Sequence, residues 1–297
     1  MDYDVIIVGG SYAGMSAGLQ LARARRKVLV VDAGERRNRF ASHSHGFLSQ
    51  DGREPGAIAA EARAQLELYS TVSWVEGRAE GAWRIEGGFA VDLSTGNLAN
   101  GRRLVLAAGV SDSLPDIPGL RERWGKSVFH CPYCHGYELN QGRIGVLAVS
   151  EHSMHHALML PDWGTTTLFT NGVFVPDAEQ FRQLAARGVA VEVALVREIR
   201  GAGTDVVLDD GRVIALDGLF TMPKTSLQIP WAEQLGCELE AGPMGNFIRT
   251  DAMKQTTARG VFACGDIARA AGSVALSVGD GAMAGAATHR SLMFEAD

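Results

Sequence analysis

Cysteine is scarce in this chain, with four in 297 residues. Two stand together as Cys131-Pro132-Tyr133-Cys134; Cys237 and Cys264 stand alone. That excludes the disulfide framework of a small secreted domain and suits a reducing compartment with one redox pair, so a cytoplasmic location is expected. Basic charge is short as well: 28 Lys and Arg against 34 Asp and Glu give a net charge of −6. Such a balance argues against nucleic acid or an anionic membrane surface as the main partner. Arg23, Arg25, Arg26 and Lys27 read as one solvated helix end rather than a basic stripe. No apolar run reaches the roughly 20 residues that a membrane span needs. The opening MDYDVIIVGG enters a strand at once, without the basic and apolar regions of a signal peptide. What the chain does have is glycine, 36 residues, and a hydrophobic share of 46%. Its length suggests two domains, at roughly 150 residues each.

The apolar runs 4–9 (DVIIVG) and 28–32 (VLVVD) predict buried strands, joined by a Gly-rich turn and a helix from about Ala13 to Arg26. This β-α-β unit predicts an α/β protein with doubly wound sheets. A further helix is predicted over 56–69, short strands over 72–93, a strand over 103–109, and a terminal helix from Val274. Alternating strands and turns fill 189–220. Pro115 and Pro118 mark one linker and Pro223 a second. Two nested Rossmann-like domains follow. One is discontinuous, 1–114 and 223–297, and the other spans 115–222.

A second β-α-β unit covers 144–171. It aligns with the first without gaps when Val5 is set on Ile144 and Asp32 on Asn171. The first turn reads Gly9-Gly10-Ser11-Tyr12-Ala13-Gly14. In G-x-G-x-x-G the glycines provide the tight turn, the approach of the pyrophosphate and close helix packing, and the helix N-terminus faces the phosphates. Here Ser11 replaces the middle glycine, while Asp32 stands where a ribose-binding acid is expected. The strand predicted over 103–109 ends in small residues, Ala108 and Gly109 among them. In the second unit Gly9 maps to Ala148, Ser11 to Ser150 and Gly14 to Ser153. The fold repeats; the chemistry of the turn does not. His152, His155 and His156 cluster at the start of this second helix, either as a metal site or as solvated or hydrogen-bonded histidines.

The stretch His130-Cys131-Pro132-Tyr133-Cys134-His135-Gly136-Tyr137-Glu138 is read as a dithiol/disulfide centre. Zinc would need two further ligands at suitable spacing, and no metal is expected. Pro132 suits a first helical position, which puts Cys131 at a helix N-terminus, where thiolate is favoured. Imidazoles on both sides are suited to proton transfer, with an ordinary pKa of about 6.5.

In this order of parts the chain resembles low-molecular-weight thioredoxin reductases over nearly its whole length. The motif CPYCHGYE resembles, more narrowly, the dithiol oxidases that close disulfides in gliotoxin- and holomycin-type metabolites. The resemblance implies FAD as cofactor, held by Gly9, Gly10, Ser11, Ala13, Gly14, Asp32, Asn38, Ala108, Gly109, Gly265 and Asp266. Asp266, in FACGD, is the residue that would reach the ribityl chain. It implies that Cys134 faces the flavin, that Cys131 exchanges with substrate, and that His135 stands where thioredoxin reductases carry a proton-donating Asp. The segment Asn38–Phe47 would pass close to the isoalloxazine, making His45 a further proton-transfer candidate. Related enzymes are homodimers. The expected substrate is a small dithiol or a thioredoxin-like protein. NADPH binding in that family uses a glycine turn and paired arginines, and the matching positions here are Ala148–Ser153, Asn171 and Gly172. The expected reaction is therefore dithiol oxidation with oxygen or another non-nicotinamide acceptor. The alternatives are a reductase fed by NADPH or ferredoxin, and a flavin redox sensor without turnover.

Overall fold

The computed structural model describes residues 2–201 and 203–294. Among the described residues the α-helices are α1 (Tyr12–Arg23), α2 (Pro55–Glu67), α3 (Pro132–His135), α4 (Ser153–Met159), α5 (Ala178–Ala186) and α6 (Val274–Phe294). The chain divides into two compact units. The first comprises Met1–Arg39, Gly46–Ser111 and Thr225–Asp297; the second comprises Phe40–His45 and Asp112–Lys224.

The first unit is built on a sheet with strand order Val72–Glu76, Val28–Asp32, Tyr3–Val8, Leu98–Leu106, Gly88–Leu93, Ala79–Ile85. Its first four strands are parallel, with Val5 beside Val28 and Arg103. Val261–Ala263 adds in parallel to Leu98–Leu106. Successive side chains face opposite sides of a strand, and here both sides are covered. Ile6, Val8, Leu29 and Leu104 enter one core; Val5, Ile7, Val28 and Val105 enter the other. That is why these strands read as unbroken apolar runs. Burying each such side chain contributes about 1.5–3 kcal/mol. The helix α1 ends at Arg23, short of the predicted Arg26, because Arg25 adopts φ 58°. The strand predicted through Gly109 stops at Leu106, and Gly109 itself turns with φ 68°. Small residues bring α1 and α6 together: a Cβ on Gly281 or Gly285 would strike the backbone of Ala13 or Ala17.

The second unit has a parallel sheet in the order Ala190–Glu192, Gly164–Phe169, Gln141–Leu147, Gly218–Thr221, Val128–Phe129. A separate antiparallel sheet is formed by Val196–Arg200, Thr204–Leu208 and Val213–Leu216. Phe129, Ile144, Val146, Leu168 and Phe220 fill one face of the parallel sheet. In this unit α4 starts at Ser153, although Tyr12 of α1 maps onto Glu151. The helix α5 was not expected from the sequence. It is capped reciprocally, with the Asp177 side chain accepting from the Gln180 amide and the Gln180 side chain accepting from the Asp177 amide.

Candidate redox and cofactor site

The strand Tyr3–Val8 delivers the chain into Gly9, whose φ of 103° suits glycine and whose missing Cβ avoids the Ala107 carbonyl. The Gly10 amide then donates to Asp32 Oδ1 at 3.0 Å, which spans the turn and the end of the second strand. Ser11 is the N-cap of α1, yet its hydroxyl makes no cap bond. The first bond of the helix runs from the Met15 amide to the Ser11 carbonyl at 2.9 Å. The amides of Tyr12, Ala13 and Gly14 therefore lead the helix, as the opening N–H groups of any α-helix do, and they suit an anion. A Cβ on Gly14 would collide with the Gly9 carbonyl, so only glycine lets the helix sit this close to the turn.

The C-terminal motif closes on the same place. A Cβ on Gly265 would stand 2.8 Å from that of Ala13. Asp266 accepts from Arg37 Nη1 at 2.8 Å, a partner that sequence reading missed. Arg37 and Asp266 also line a cavity with Val110, Phe247, Arg269 and Gly272. Asn38 Nδ2 donates to the Tyr12 hydroxyl at 3.2 Å, and that hydroxyl donates to the Pro55 carbonyl at 2.9 Å. Asn38 Oδ1 is buried and makes no hydrogen bond among the described residues, leaving an acceptor for a ligand. The glycine cradle, the uncapped helix start and this spare acceptor fit a dinucleotide. All of Gly9, Gly10, Ser11, Ala13, Gly14, Asp32, Asn38, Ala108, Gly109, Gly265 and Asp266 lie in the first unit.

A pair of substitutions separates the backbone cradle from the hydroxyl. Ser11→Glu puts a carboxylate at the phosphate position and is expected to weaken FAD binding at least about tenfold, equivalent to 1.4 kcal/mol. Ser11→Ala is expected to retain FAD, because the hydroxyl makes no bond in the cap. Flavin content after gel filtration checks both; a fully loaded Ser11→Glu protein would place the phosphates elsewhere.

The second unit carries the thiols. Cys131 and Cys134 form a disulfide with Cα atoms 5.3 Å apart. Cys131 is the N-cap of α3 and Pro132 its first residue. The Cys134 amide donates to the Cys131 carbonyl at 3.2 Å. His135 ends this helix and stacks on Phe129, with ring centroids 4.4 Å apart. Burial, and secondarily the charge of His45, lowers its pKa to about 4. The expected value near 6.5 is thus corrected: His135 is neutral at pH 7. His45 Nε2 lies 3.5 Å from Glu138 Oε1, an ion pair when the imidazole is protonated. Cys131, Cys134, His135 and His45 accordingly share one unit, and Phe129 and Glu138 are the members that sequence reading did not assign.

The turn of the second repeat is closed on itself. The Val149 amide donates to the Ser153 hydroxyl at 3.1 Å. The amides of Ser153, Met154 and His155 donate to the carbonyls of Ser150, Glu151 and His152. Asn171 takes φ 49° and its Oδ1 accepts from the Val196 amide at 2.8 Å; Gly172 follows with φ 68°. The histidines nearby do not form one solvated group: His152 and His155 are exposed, whereas His156 is buried. Among the described residues no three or more His, Cys, Asp or Glu side chains are grouped to hold a metal ion. No described helix is long and apolar enough to cross a membrane.

Comparison with known proteins agrees with this layout. Thioredoxin reductase tcpT of Claviceps purpurea is 34% identical over 277 residues, covering 89% of this chain and 86% of that protein. The crystal structure of an oxidoreductase from Agrobacterium tumefaciens is similar with a TM-score of 0.97 and 66% identity, covering 99% of this chain and 100% of that one. The crystal structure of HlmI is similar with a TM-score of 0.92 and 36% identity, covering 98% and 92%. The pyridine nucleotide-disulphide oxidoreductase family model matches residues 3–152 and 172–285. The chain therefore belongs to the pyridine nucleotide-disulphide oxidoreductase family, as a thioredoxin reductase-like flavoprotein that binds FAD and acts on sulfur groups.

Proposed function

We propose that this flavoprotein oxidises a dithiol to a disulfide and passes the electrons to oxygen or another non-nicotinamide acceptor. The observation that carries this reading is the contrast between its two repeats. In the first, the amides leading α1 stand ahead of the helix's first bond. In the second, the Ser153 amide, the counterpart of Gly14, donates to the Ser150 carbonyl, and the Ser153 hydroxyl accepts from the Val149 amide. Glu151 adds negative charge to that turn, and Asn171 and Gly172 occupy the positions of the paired arginines. The family match also breaks between 152 and 172, the span that holds α4 and the strand Gly164–Phe169.

A substrate thiol attacks Cys131 Sγ, and Cys134 leaves as a thiolate. The second substrate thiol displaces Cys131 from the mixed disulfide, closing the substrate disulfide. Two electrons pass to the cysteine pair and two protons leave the substrate. One of them ends on the Cys131 thiol, and His135, neutral at pH 7, accepts the other. His45 and Glu138 set the charge around it. FAD, when bound, supplies the two-electron acceptor for the reduced pair. The substrate is a small dithiol or a thioredoxin-like protein, and the enzyme works in the cytoplasm as a homodimer.

Oxygen uptake tests the reading. A small dithiol is expected to drive sustained oxygen consumption with hydrogen peroxide as product. Oxygen consumption that stops after a single equivalent would instead identify a sensor.

A further inference from the structure

We propose that His156, on α4, is a positioning residue that holds His130 as the proton carrier at Cys131, so that each cysteine has its own imidazole. The inference rests on the dithiol-oxidising reading above. Two observations carry it. The first is a continuous line of ring contacts joining the two ends of the CxxC motif. His135 stacks on Phe129 at 4.4 Å, and Phe129 meets Phe220 at 5.6 Å. Phe220 and His156 meet in a T-shaped arrangement with centroids 6.4 Å apart, and His156 meets His130 at 5.6 Å. His130 directly precedes Cys131, and His135 directly follows Cys134. The line therefore starts beside one thiol and ends beside the other, and His156 is the member that joins His130 to it.

The second observation is the state of His156 itself. It is 5% exposed, and its Nδ1 is buried without a hydrogen bond among the described residues. A buried polar atom left without a partner costs stability, so a histidine in this core position calls for a role that phenylalanine would not fill. Burial, and then the charges of His130 and His155, lower its pKa to about 3. His156 thus stays neutral while His130 gains and loses a proton, and it adds no competing positive charge. The helix that would face a pyrophosphate in a nucleotide-binding repeat supports the thiol centre instead.

The protons balance as follows. The first substrate thiol gives its proton to His130 as its sulfur bonds to Cys131 Sγ and the Cys131–Cys134 bond breaks. Cys134 departs as a thiolate. The second substrate thiol gives its proton to His135 and displaces Cys131, which leaves with the proton held on His130. The substrate has lost two electrons and two protons; the pair has gained two electrons and one proton, with the other on His135. The titratable groups that bear on His156 are His130, which directly precedes Cys131, and His155 on α4. Beyond Phe129 lie His135, His45 and Glu138. Phe220 brings no charge.

The test uses the full-length protein carrying Cys134→Ser, so that Cys131 is the thiol of the motif, and follows its alkylation by iodoacetamide against pH. His156→Phe keeps ring, volume and burial but removes both nitrogens; His156→Gln returns a polar side chain without the ring. Expected for His156→Phe is a shift of the Cys131 alkylation midpoint to higher pH by about one unit, a tenfold change in the equilibrium, with His156→Gln returning it toward the parent. In the intact motif, flavin reduction by a dithiol is expected to slow roughly tenfold, less than the roughly 100- to 10,000-fold attributable to a general acid–base group. An unchanged alkylation curve in His156→Phe overturns the proposal, as does a glutamine variant as defective as the phenylalanine one. Failure of the parent protein to be reduced by any dithiol would overturn the proposed function, while the alkylation curves would still decide the role of His156.

Discussion

Cys131→Ser and Cys134→Ser are each expected to bring dithiol turnover down to background, and only the first is expected to yield a long-wavelength absorption. The loss follows from the chemistry. Without either sulfur the Cys131–Cys134 disulfide cannot form, and a substrate thiol has no bond to exchange with. The spectra separate the two roles. Under the proposed division of labour Cys134 delivers electrons to FAD, so Cys131→Ser leaves a lone thiolate able to donate into oxidised flavin. Cys134→Ser leaves the exchanging thiol, which reacts with substrate or iodoacetamide and gives no such band. Absorbance spectra of the two purified variants, with flavin content matched, check this. A band confined to Cys134→Ser reverses the assignment.

His135→Ala is expected to cut turnover roughly 100- to 10,000-fold, the range of a general acid–base group, with flavin content unchanged. The pH dependence has a definite sign. Accepting a proton requires the neutral imidazole, and burial lowers the pKa of His135 to about 4. The acid limb of the rate profile should therefore lie near pH 4 rather than near the ordinary imidazole value of about 6.5. In His135→Ala that limb disappears with the rate. The same burial affects stability. His135 and His156 have folded pKa values below that of the unfolded chain, so protonation favours unfolding. Their stabilising contribution is full above about pH 6.5 and falls as the pH drops toward 4 and then 3. Rates near the acid limb need a parallel check of folding. Unaltered turnover in His135→Ala would move the proton transfer to His45.

The parallel sheets were legible because their strands are buried on both faces, as Val5–Val8 and Val28–Val31 are. The glycine turn after the first strand was legible because a Cβ at 9 or 14 would strike backbone. The helix α5 was not found. Its sequence AEQFRQLAA is polar overall and buries only Leu184, so no apolar run marked it, although the Asp177–Gln180 box was an available signal. Side-chain partners across the fold were beyond reach. Arg37 pairs with Asp266 from 229 positions away. The changes at Ala148 and Ser153 were visible, but the bond that closes the turn, Val149 to the Ser153 hydroxyl, was not. The sequence did not separate buried His156 from exposed His152 and His155, because one of its ring contacts, Phe220, comes from a strand outside the repeat.

Anaerobic stopped-flow mixing of the oxidised flavoprotein with NADPH and, separately, with a small dithiol tests the central claim most directly. NADPH meets no glycine turn and no paired cations in the second repeat, and the Ser153 amide there is taken by the Ser150 carbonyl. Each lost hydrogen bond to a charged group removes roughly 1.5–3 kcal/mol, so two weaken binding on the order of a hundredfold or more, at 1.4 kcal/mol per factor of ten. The predicted result is flavin bleaching by the dithiol within milliseconds to seconds, no comparable bleaching by micromolar NADPH, and hydrogen peroxide when oxygen is readmitted. Rapid bleaching by micromolar NADPH, with the dithiol inert, would contradict it.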